Sequence, residues 1–477
     1  MNLDSIKDEL ARIVGINNIS ENYFYISPYC MTHIAKNIFN ISKFLKPKIV
    51  VRPTNVEQLK SIIRFLYEKE IPMFIRGSGT GYSGSEIPTE DGVVIETTGL
   101  NKIINIDKEN KTVTVQSGIK IKELNQKLSE EGLWWPHDPE SKEFATVGGA
   151  VSTSGIGTFA TKYGYAQNMV KSFKLIIKYG SEIDPSTDVR PNMNLYDIQD
   201  LVLTSEGTLG VISEIKLKVE KLPVIRKIII SLYKSLSDAV NVAYALYDNG
   251  ITPESILIED IIRFSIGSLG SYIDLNDNSI KALNLDDYYA ALIISYSGND
   301  AKIVNSLIEI TKNIILSNKG KIIDNEKIVE IYWKSKTELP SWKGVSNLKV
   351  HSFVPALPLD KINDHDEIYS NLAEKYNLTK TGARYYILFP KLEFTSSPSV
   401  VIDDNDPKSC ESYEKFTLEF AREILRLRGS PATTTGSGVR LLDLTSEYSS
   451  DLIDLMKEIK KSFDPKLLFN RNKKFKL

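Results

Sequence analysis

A glycine-rich loop, Arg76–Gly84, most constrains how this chain can fold. It places four glycines in eight positions, and residues 79–84 match the pattern Gly-x-Gly-x-x-Gly. A dinucleotide-binding fold needs a helix that begins at such a loop. Pro88 and a β-branched strand from Val93 leave no room for that helix, and no Lys-Ser or Lys-Thr follows to complete a P-loop. The spacing therefore predicts a turn between two strands, whose backbone amides form a concave site for a diphosphate.

Two later segments combine glycine with small hydroxylated residues. The first, Pro139–Gly157, carries Gly148, Gly149 and Gly155 between Thr and Ser residues. The second, Ser205–Ile212, is a tight turn that runs directly into an apolar strand. Glycine lets a backbone approach a large flat ligand closely. Taken singly, each segment also fits a glycine-rich surface connection that binds no ligand.

Length and charge narrow the class of protein. A chain of 477 residues exceeds the ~250–300 residues at which single cores stop growing, so two or three domains are expected. A net charge of -2 without blocks of like charge does not favour nucleic-acid binding. Two cysteines and no apolar run of membrane-spanning length predict neither a disulfide framework nor a transmembrane helix. We expect a cytoplasmic protein. Peripheral contact with the inner face of the membrane and a homodimer are further possibilities that the sequence does not decide.

Hydrophobic periodicity predicts a mixture of helices and strands. Ile6, Leu10 and Ile13 share one face of an N-terminal helix. Thr54 is predicted as the N-cap of the next helix, since Glu57 follows three residues on. The stretch Trp134–Tyr165 has little regular pattern and is predicted to wrap a ligand. The basic C-terminus is interpreted as a solvated tail.

The three glycine segments, in this order and spacing, resemble the FAD-binding domain of the vanillyl-alcohol-oxidase superfamily, the fold also named after p-cresol methylhydroxylase. Within it, the chain is most similar to the D-lactate dehydrogenase and glycolate oxidase D-subunit group, and Phe463–Asn470 resembles that group's closing signature. The resemblance implies an α+β fold: a two-subdomain FAD-binding domain plus an α+β substrate (cap) domain with an antiparallel sheet. It implies four regions: a helical arm (1–45), the FAD-binding domain (46–222), the cap domain (223–411) and a helical segment that returns to the flavin (412–477).

The resemblance also implies which residues bind FAD. They are Arg76, Gly77, Ser78, Gly79, Thr80, Gly81, Ser83, Gly84, Pro139, Thr146, Val147, Gly148, Gly149, Ser152, Thr153, Gly155, Glu206, Gly210, Val211, Ile212 and Asn470. Covalent members of the superfamily carry a histidine in the glycine loop. Ser78 and Thr80 cannot form that linkage, so non-covalent FAD is expected.

The catalytic half departs from the family pattern. The histidine pair and the Glu-His-Gly segment that bind metal in the family are missing, because residues 381–390 and 432–438 contain no histidine. We therefore expect no metal site. Five residues are candidates for substrate binding or proton transfer: Arg384, Tyr385, Tyr386, His351 and Arg440. Strand alternation puts Arg384 and Tyr386 on one face and Tyr385 on the other. For each of them an ordinary structural role is the more common alternative.

The resemblance implies an FAD-dependent oxidoreductase that oxidises a CH–OH donor by hydride transfer to flavin N5. A small 2-hydroxy acid, such as D-lactate or glycolate, is the expected substrate. A quinone, a cytochrome or another carrier would accept the electrons. The alternatives are an FAD-dependent sugar or polyol dehydrogenase, and a non-catalytic flavin-binding subunit of a larger complex.

Overall fold

The computed structural model describes residues 3–30, 47–184, 187, 189, 194–270, 278–336 and 348–476. Residues 31–45 of the predicted N-terminal arm lie outside these ranges. The described helices are α1 Leu3–Val14, α2 Tyr23–Ile26, α3 Val56–Glu68, α4 Ile121–Glu130, α5 Val147–Ser152, α6 Ala160–Tyr163, α7 Gln199–Leu203, α8 Leu236–Asp248, α9 Asn278–Lys281, α10 Ala301–Ser317, α11 Glu326–Ser335, α12 Ile362–Lys375, α13 Pro407–Arg426 and α14 Ser450–Phe463.

The described strands run from the N-terminal arm to the cap domain. They are β1 Ile19–Ser20, β2 Ile49–Val51, β3 Met73–Arg76, β4 Val93–Glu96, β5 Ile103–Asp107, β6 Thr112–Gln116, β7 Leu133–Trp134, β8 Val170–Ile176, β9 Glu182–Ile183, β10 Val211–Lys218, β11 Glu220–Lys221, β12 Ile225–Tyr233, β13 Ser255–Asp260, β14 Ala290–Gly298, β15 Lys321–Ile322, β16 Leu348–Ser352, β17 Ala356–Pro358, β18 Thr379–Gly382, β19 Arg384–Leu388, β20 Glu393–Ser396 and β21 Ser399–Asp403.

Two sheets organise the first half of the chain. One has the order β1-β2-β4-β3, in which β2, β3 and β4 are parallel. The other is antiparallel, with the order β5-β6-β10-β8-β9. The glycine loop connects β3 to β4 and contains no helix, so the predicted strand-to-strand turn is confirmed. The two sheets give this half two hydrophobic cores.

Helix α3 shows one correction to the sequence analysis. The N-cap is Asn55, whose side chain accepts from the backbone N of Gln58 at 2.9 Å, and not Thr54. Thr54 instead donates to the Gln58 side-chain oxygen, through its backbone N at 2.8 Å and its hydroxyl at 3.0 Å. The predicted helix in the N-terminal arm is confirmed as α1, which buries Ile6 and Leu10 against the first sheet's core. The arm also supplies β1, which pairs with β2.

The segment Trp134–Tyr165 is more regular than predicted. It contains the short helices α5 and α6. The apolar pattern is hard to recognise because α5 is only six residues long and two of them are glycine. Thr146 caps α5 by accepting from the Gly149 backbone N at 3.2 Å.

An antiparallel sheet with the order β15-β12-β14-β13-β19-β20-β17 forms the centre of the second half. Its two faces pack into different cores, and β13 shows the alternation: Ile256 and Ile258 face one core while Leu257 faces the other. Strand β13 pairs with β19 so that Glu259 lies beside Arg384 and Ile258 beside Tyr385. The sheet therefore carries Glu259 and Arg384 on the face opposite to Tyr385.

The end of the chain returns to the first half. After α14, the backbone N of Met73 donates to the Leu468 carbonyl, and the backbone N of Asn470 donates to the Met73 carbonyl, each at 2.8 Å. This contact places the C-terminal residues directly beside the strand that leads into the glycine loop. The expected α+β class is confirmed.

Candidate cofactor and active site

The glycine loop has the form of a preorganised anion site. A Cβ on Gly77 would collide with the Thr146 hydroxyl, so only glycine fits where the loop meets the start of α5. Ser78 has a buried hydroxyl with no hydrogen-bond partner. A buried polar atom without a partner indicates a missing ligand or water. Residues 77–82 stay only partly buried. The loop amides and the Ser78 hydroxyl therefore fit the pyrophosphate of FAD.

The Arg76 side chain packs against the glycine loop. Its side chain is 9% exposed and donates to the Glu86 carbonyl at 3.2 Å. The guanidinium lies 5.2 Å from the centre of the Tyr29 ring and fills the space where Gly79 would carry a Cβ. Gly79 has φ of 71°, a conformation that favours glycine. Arg76 thus supports the turn through contacts within the protein.

Asn470 joins the glycine loop to the 205–212 turn. Its amide oxygen accepts from the backbone N of Ile75 at 2.9 Å, and its amide nitrogen donates to the Glu206 carbonyl at 2.6 Å. A Cβ on Gly207 would lie 2.8 Å from that nitrogen. These contacts fix the geometry of the predicted cofactor wall from a position about 400 residues along the chain.

The remaining predicted cofactor residues belong to the same three glycine segments. Val147 and Val211 point into the hydrophobic cores, so only their backbones can face a ligand. The Thr153 hydroxyl donates to the Gly149 carbonyl at 2.9 Å. The other members of the set are Thr80, Gly81, Gly84, Pro139, Gly148, Ser152, Gly155, Gly210 and Ile212. Their contacts with FAD stay a prediction.

Glu206 and the C-terminus close the site from the other side. The buried Glu206 carboxylate accepts from the backbone N of Ser437 and of Gly438, each at 2.9 Å. Ser83 donates to the Thr435 carbonyl at 2.7 Å, which fastens the same loop to the glycine turn. The predicted solvated C-terminal tail is wrong, because Lys473 is 2% exposed and donates to the Ser85 carbonyl. Burial lowers the pKa of Lys473 to about 7.

A cluster of charged residues lies on the cap sheet. The Arg384 Nε contacts Glu259 Oε1 at 2.5 Å, and Arg384 Nη1 pairs with Glu140. Glu259 is fully buried and also accepts from the Tyr332 hydroxyl at 3.0 Å. Arg384 Nη1 lies 3.4 Å from the Tyr386 hydroxyl, so the predicted common face of these two residues is confirmed.

Burial and charge determine the protonation states in this cluster. Burial alone would lower the pKa of Arg384, but Glu259 and Glu140 raise it well above its usual value. Burial acts to raise the pKa of Glu140, but Arg384 and Arg263 hold it below the ordinary range. Burial raises the pKa of Tyr386. At neutral pH the cluster thus holds an ionised Arg–carboxylate network and a neutral phenol.

A second buried cation lies beside this network. Lys336 Nζ contacts Asp138 at 3.1 Å and the Thr158 hydroxyl at 2.7 Å, and it lies 4.1 Å from the centre of the Trp333 ring. Burial lowers the pKa of Lys336 to about 8, although Asp138 opposes that shift. Lys336 therefore loses its positive charge as the pH rises just above neutral.

The other three catalytic candidates occupy structural positions. Tyr385 is fully buried on the opposite face and donates to Asp366 at 2.8 Å. His351 contacts Asp404 at 3.2 Å and is 4% exposed. Arg440 donates to the Ser352 carbonyl at 2.8 Å and to the Tyr82 carbonyl, which ties the cap to the glycine loop. Because Tyr385 and His351 are buried and already hydrogen-bonded, the proposed site does not include them.

The sequence analysis missed several residues that the fold brings to this cluster. They are Tyr82, Glu140, Glu259, Arg263, Tyr332 and Lys336. Glu140 follows the predicted Pro139, and Tyr82 lies inside the glycine loop, so their positions gave some signal. The other four come from two segments of the cap domain, Glu259 with Arg263 and Tyr332 with Lys336, and no local pattern marks them.

Comparison with solved structures defines the class of protein. The chain superposes on alkyldihydroxyacetonephosphate synthase with a TM-score of 0.78 at 17% identity, covering 98% of this chain and 86% of that chain. It superposes on p-cresol methylhydroxylase with a TM-score of 0.77 at 16% identity, covering 98% and 96%. These similarities show a shared fold, that of p-cresol methylhydroxylase.

Sequence comparison identifies the family. Residues 47–184 match the FAD binding domain, and residues 222–474 match the C-terminal domain of FAD linked oxidases. The chain therefore belongs to the FAD-linked oxidase family, and it is an FAD-linked dehydrogenase or oxidase with FAD as its cofactor.

Curated relatives place it among oxidoreductases of the D-lactate dehydrogenase and glycolate oxidase type. It is 25% identical to D-lactate dehydrogenase of Archaeoglobus fulgidus over 477 residues, covering 98% of both chains. It is 23% identical to glycolate oxidase subunit GlcD of Bacillus subtilis, covering 90% of this chain and 89% of that protein. It is 30% identical to D-lactate dehydrogenase of Anaerostipes hadrus, a match that spans 57% of this chain and 56% of that enzyme.

The described residues show neither a membrane-spanning helix nor a cluster of metal ligands. None of the described helices is both long and apolar enough to cross a bilayer. Across the same ranges, no three His, Cys, Asp or Glu side chains converge in a way that could hold a metal ion.

Proposed function

We propose that this chain oxidises a small 2-hydroxy acid, such as D-lactate or glycolate, with FAD held non-covalently. The cap cluster carries this proposal, because it sets two arginines and the neutral Tyr386 phenol close to the glycine loop. Tyr82 of that loop links the two, because Glu140, Arg263 and Tyr386 are close enough to contribute to its electrostatic surroundings. Burial raises the pKa of Tyr82 to about 12. A carboxylate and a hydroxyl are the groups that arginine and a phenol recognise.

The protein's part in the reaction is to bind and orient the donor. FAD, when bound, supplies the hydride acceptor, its N5 atom. Arginine holds the substrate carboxylate, and Tyr386 directs the hydroxyl by a hydrogen bond. The glycine loop around Ser78 and Thr146 would hold the cofactor. Reoxidation by a quinone, a cytochrome or another carrier completes the cycle. Several relatives are named D-lactate dehydrogenase [cytochrome], among them one from Arabidopsis thaliana.

An anaerobic substrate screen tests the proposal. The purified holoprotein is mixed without oxygen with D-lactate, glycolate, glucose and glycerol, and flavin absorbance is followed. We expect bleaching by the 2-hydroxy acids. Bleaching only by glucose or glycerol would instead identify a sugar or polyol dehydrogenase, and no bleaching by any donor would indicate a non-catalytic flavin subunit.

The mode of FAD attachment has its own test. Acid precipitation should release all the flavin into the supernatant, since Ser78 and Thr80 cannot form the histidyl linkage. Flavin that remains with the denatured protein would contradict non-covalent binding.

A further inference from the structure

Arg384 is one of the two arginines that the sequence analysis names as candidates, and its charge is already paired. Glu259 and Glu140 bind it from two sides, and its side chain is 4% exposed. Glu259 is itself saturated, because Tyr332 and Ser268 also donate to it, at 3.0 and 2.9 Å. Pulling a buried arginine out of two ion pairs would leave uncompensated charge at a high energetic cost. Arg384 therefore acts as a fixed support.

Arg263 lies next to this network and is only partly engaged. It opens a short π-helix, Arg263–Leu269. Its Nη2 is 3.6 Å from Glu140 Oε1, beyond hydrogen-bond distance. Its Nε is buried and has no hydrogen-bond partner. A guanidinium presents five N–H donors in a rigid fork, so Arg263 retains donors for a ligand.

The backbone holds Arg263 at a fixed place relative to β19. Asp260 accepts from the backbone N of Arg263 at 2.8 Å and from that of Ala383 at 2.6 Å. Gly382 approaches the Arg263 backbone so closely that a Cβ there would lie 2.6 Å from its nitrogen. The position of Arg263 is thus built into the cap sheet, as a specific binding site requires.

The two arginines of the cluster differ in how open they are to a ligand. Glu140 keeps 35% of its side-chain surface exposed and Arg263 keeps 11%, against 4% for Arg384. Of the two arginines, Arg263 is therefore the one that a carboxylate entering this space can reach.

We propose that Arg263 binds the carboxylate of the substrate, and that Arg384 is a positioning residue that holds Glu140 and Tyr386 around it. This inference rests on the proposed function and names the residue that selects an acid over a neutral alcohol. A bidentate arginine–carboxylate pair is both stronger and more directional than a single neutral hydrogen bond.

Oxalate binding to the oxidised holoprotein tests the inference without turnover. Oxalate is a small carboxylate that cannot be oxidised by hydride loss, and its binding is followed through the flavin absorbance spectrum. The variants are Arg263→Gln, which removes the charge, and Arg263→Lys, which keeps it. Arg422→Gln is the matched control, since Arg422 pairs with Glu447 on the surface. Thermal unfolding of each variant reports any structural damage separately.

The expected result is a loss of oxalate affinity of at least 100-fold in R263Q, about 10-fold in R263K and none in R422Q. Equal oxalate affinity of R263Q and the wild type would overturn the inference, as would R263K binding no tighter than R263Q. Failure of the proposed function looks different: the wild type would neither bind oxalate nor be bleached by any 2-hydroxy acid.

Discussion

The glycine loop, proposed to bind the cofactor, and the cap cluster, proposed to bind the substrate, are built in opposite ways. The loop uses backbone amides and one serine hydroxyl within a few consecutive residues, and steric contact with Thr146 fixes its shape. The cap cluster uses charged side chains from Glu140, Glu259, Arg263 and Arg384, which lie up to 244 positions apart. A site built from backbone amides can therefore be predicted from a few consecutive residues. A site built from distant side chains forms only when the tertiary fold is complete. The predictions below separate these two designs.

The largest effect is expected when the cap cluster loses a buried charge. Glu259→Gln leaves Arg384 without its fully buried partner. Removal of one partner from a buried ion pair costs about 3–5 kcal/mol. Chemical unfolding of the apoprotein should show this loss of stability. Glu447→Gln, which breaks a surface pair with Arg422, is the control and should cost less than about 1 kcal/mol. Equal stability of the two variants would contradict a buried network.

The next effect concerns the loop. Gly77→Ala introduces a Cβ that collides with the Thr146 hydroxyl, so the loop must shift. We expect at least a 100-fold weaker affinity for FAD, about 2.7 kcal/mol, measured by fluorescence titration of apoprotein.

Gly132→Ala provides the control for this loop variant. Gly132 has φ of 68° and open space around its Cβ position, so the substitution strains the backbone away from the site. It should lower stability by about 1 kcal/mol and leave FAD affinity unchanged. If G77A binds FAD as tightly as G132A, the loop is not the cofactor site.

The two adjacent tyrosines of β19, Tyr385 and Tyr386, should differ in how their loss affects flavin reduction, and this effect is smaller than the two above. Tyr386→Phe removes the phenol on the cluster face, and flavin reduction by D-lactate should slow about 10-fold, the value of one hydrogen bond. Tyr385→Phe removes the hydroxyl that donates to Asp366 on the other face. It should lower stability and leave the rate of reduction unchanged. Stopped-flow reduction and thermal unfolding of both variants check this, and the same slowing in both would contradict the assignment of faces.

The smallest effect is a pH dependence. Lys336 is positively charged below its pKa of about 8 and neutral above it. A cation lost beside a bound anion weakens the attraction, so oxalate affinity should fall on the order of 3–10-fold from pH 7 to pH 9.5. Titration at saturating FAD measures it, and Lys336→Met should flatten the profile. A wild-type profile that is already flat would exclude Lys336 from the electrostatics of the site.

The same contrast explains what could be predicted from the sequence. The strand-to-strand glycine turn followed from Pro88 and Val93, which rule out a helix locally. The shared face of Tyr386 and Arg384 followed from strand alternation, a rule of local geometry. Arg263 could not be found, because its role depends on Asp260, Gly382 and Glu140 meeting in three dimensions. The N-cap at Thr54 was wrong since Asn55, the next residue, is an equally good cap.

The most direct measurement of the central claim compares two donors that differ only in charge. Anaerobic stopped-flow reduction of the holoprotein is measured with D-lactate and with D-lactamide, which keeps the hydroxyl and replaces the carboxylate by a neutral amide. The account predicts reduction by D-lactate at least 100-fold faster in kcat/KM, and a ratio near one in Arg263→Gln. Equal reduction by both donors in the wild type would contradict it.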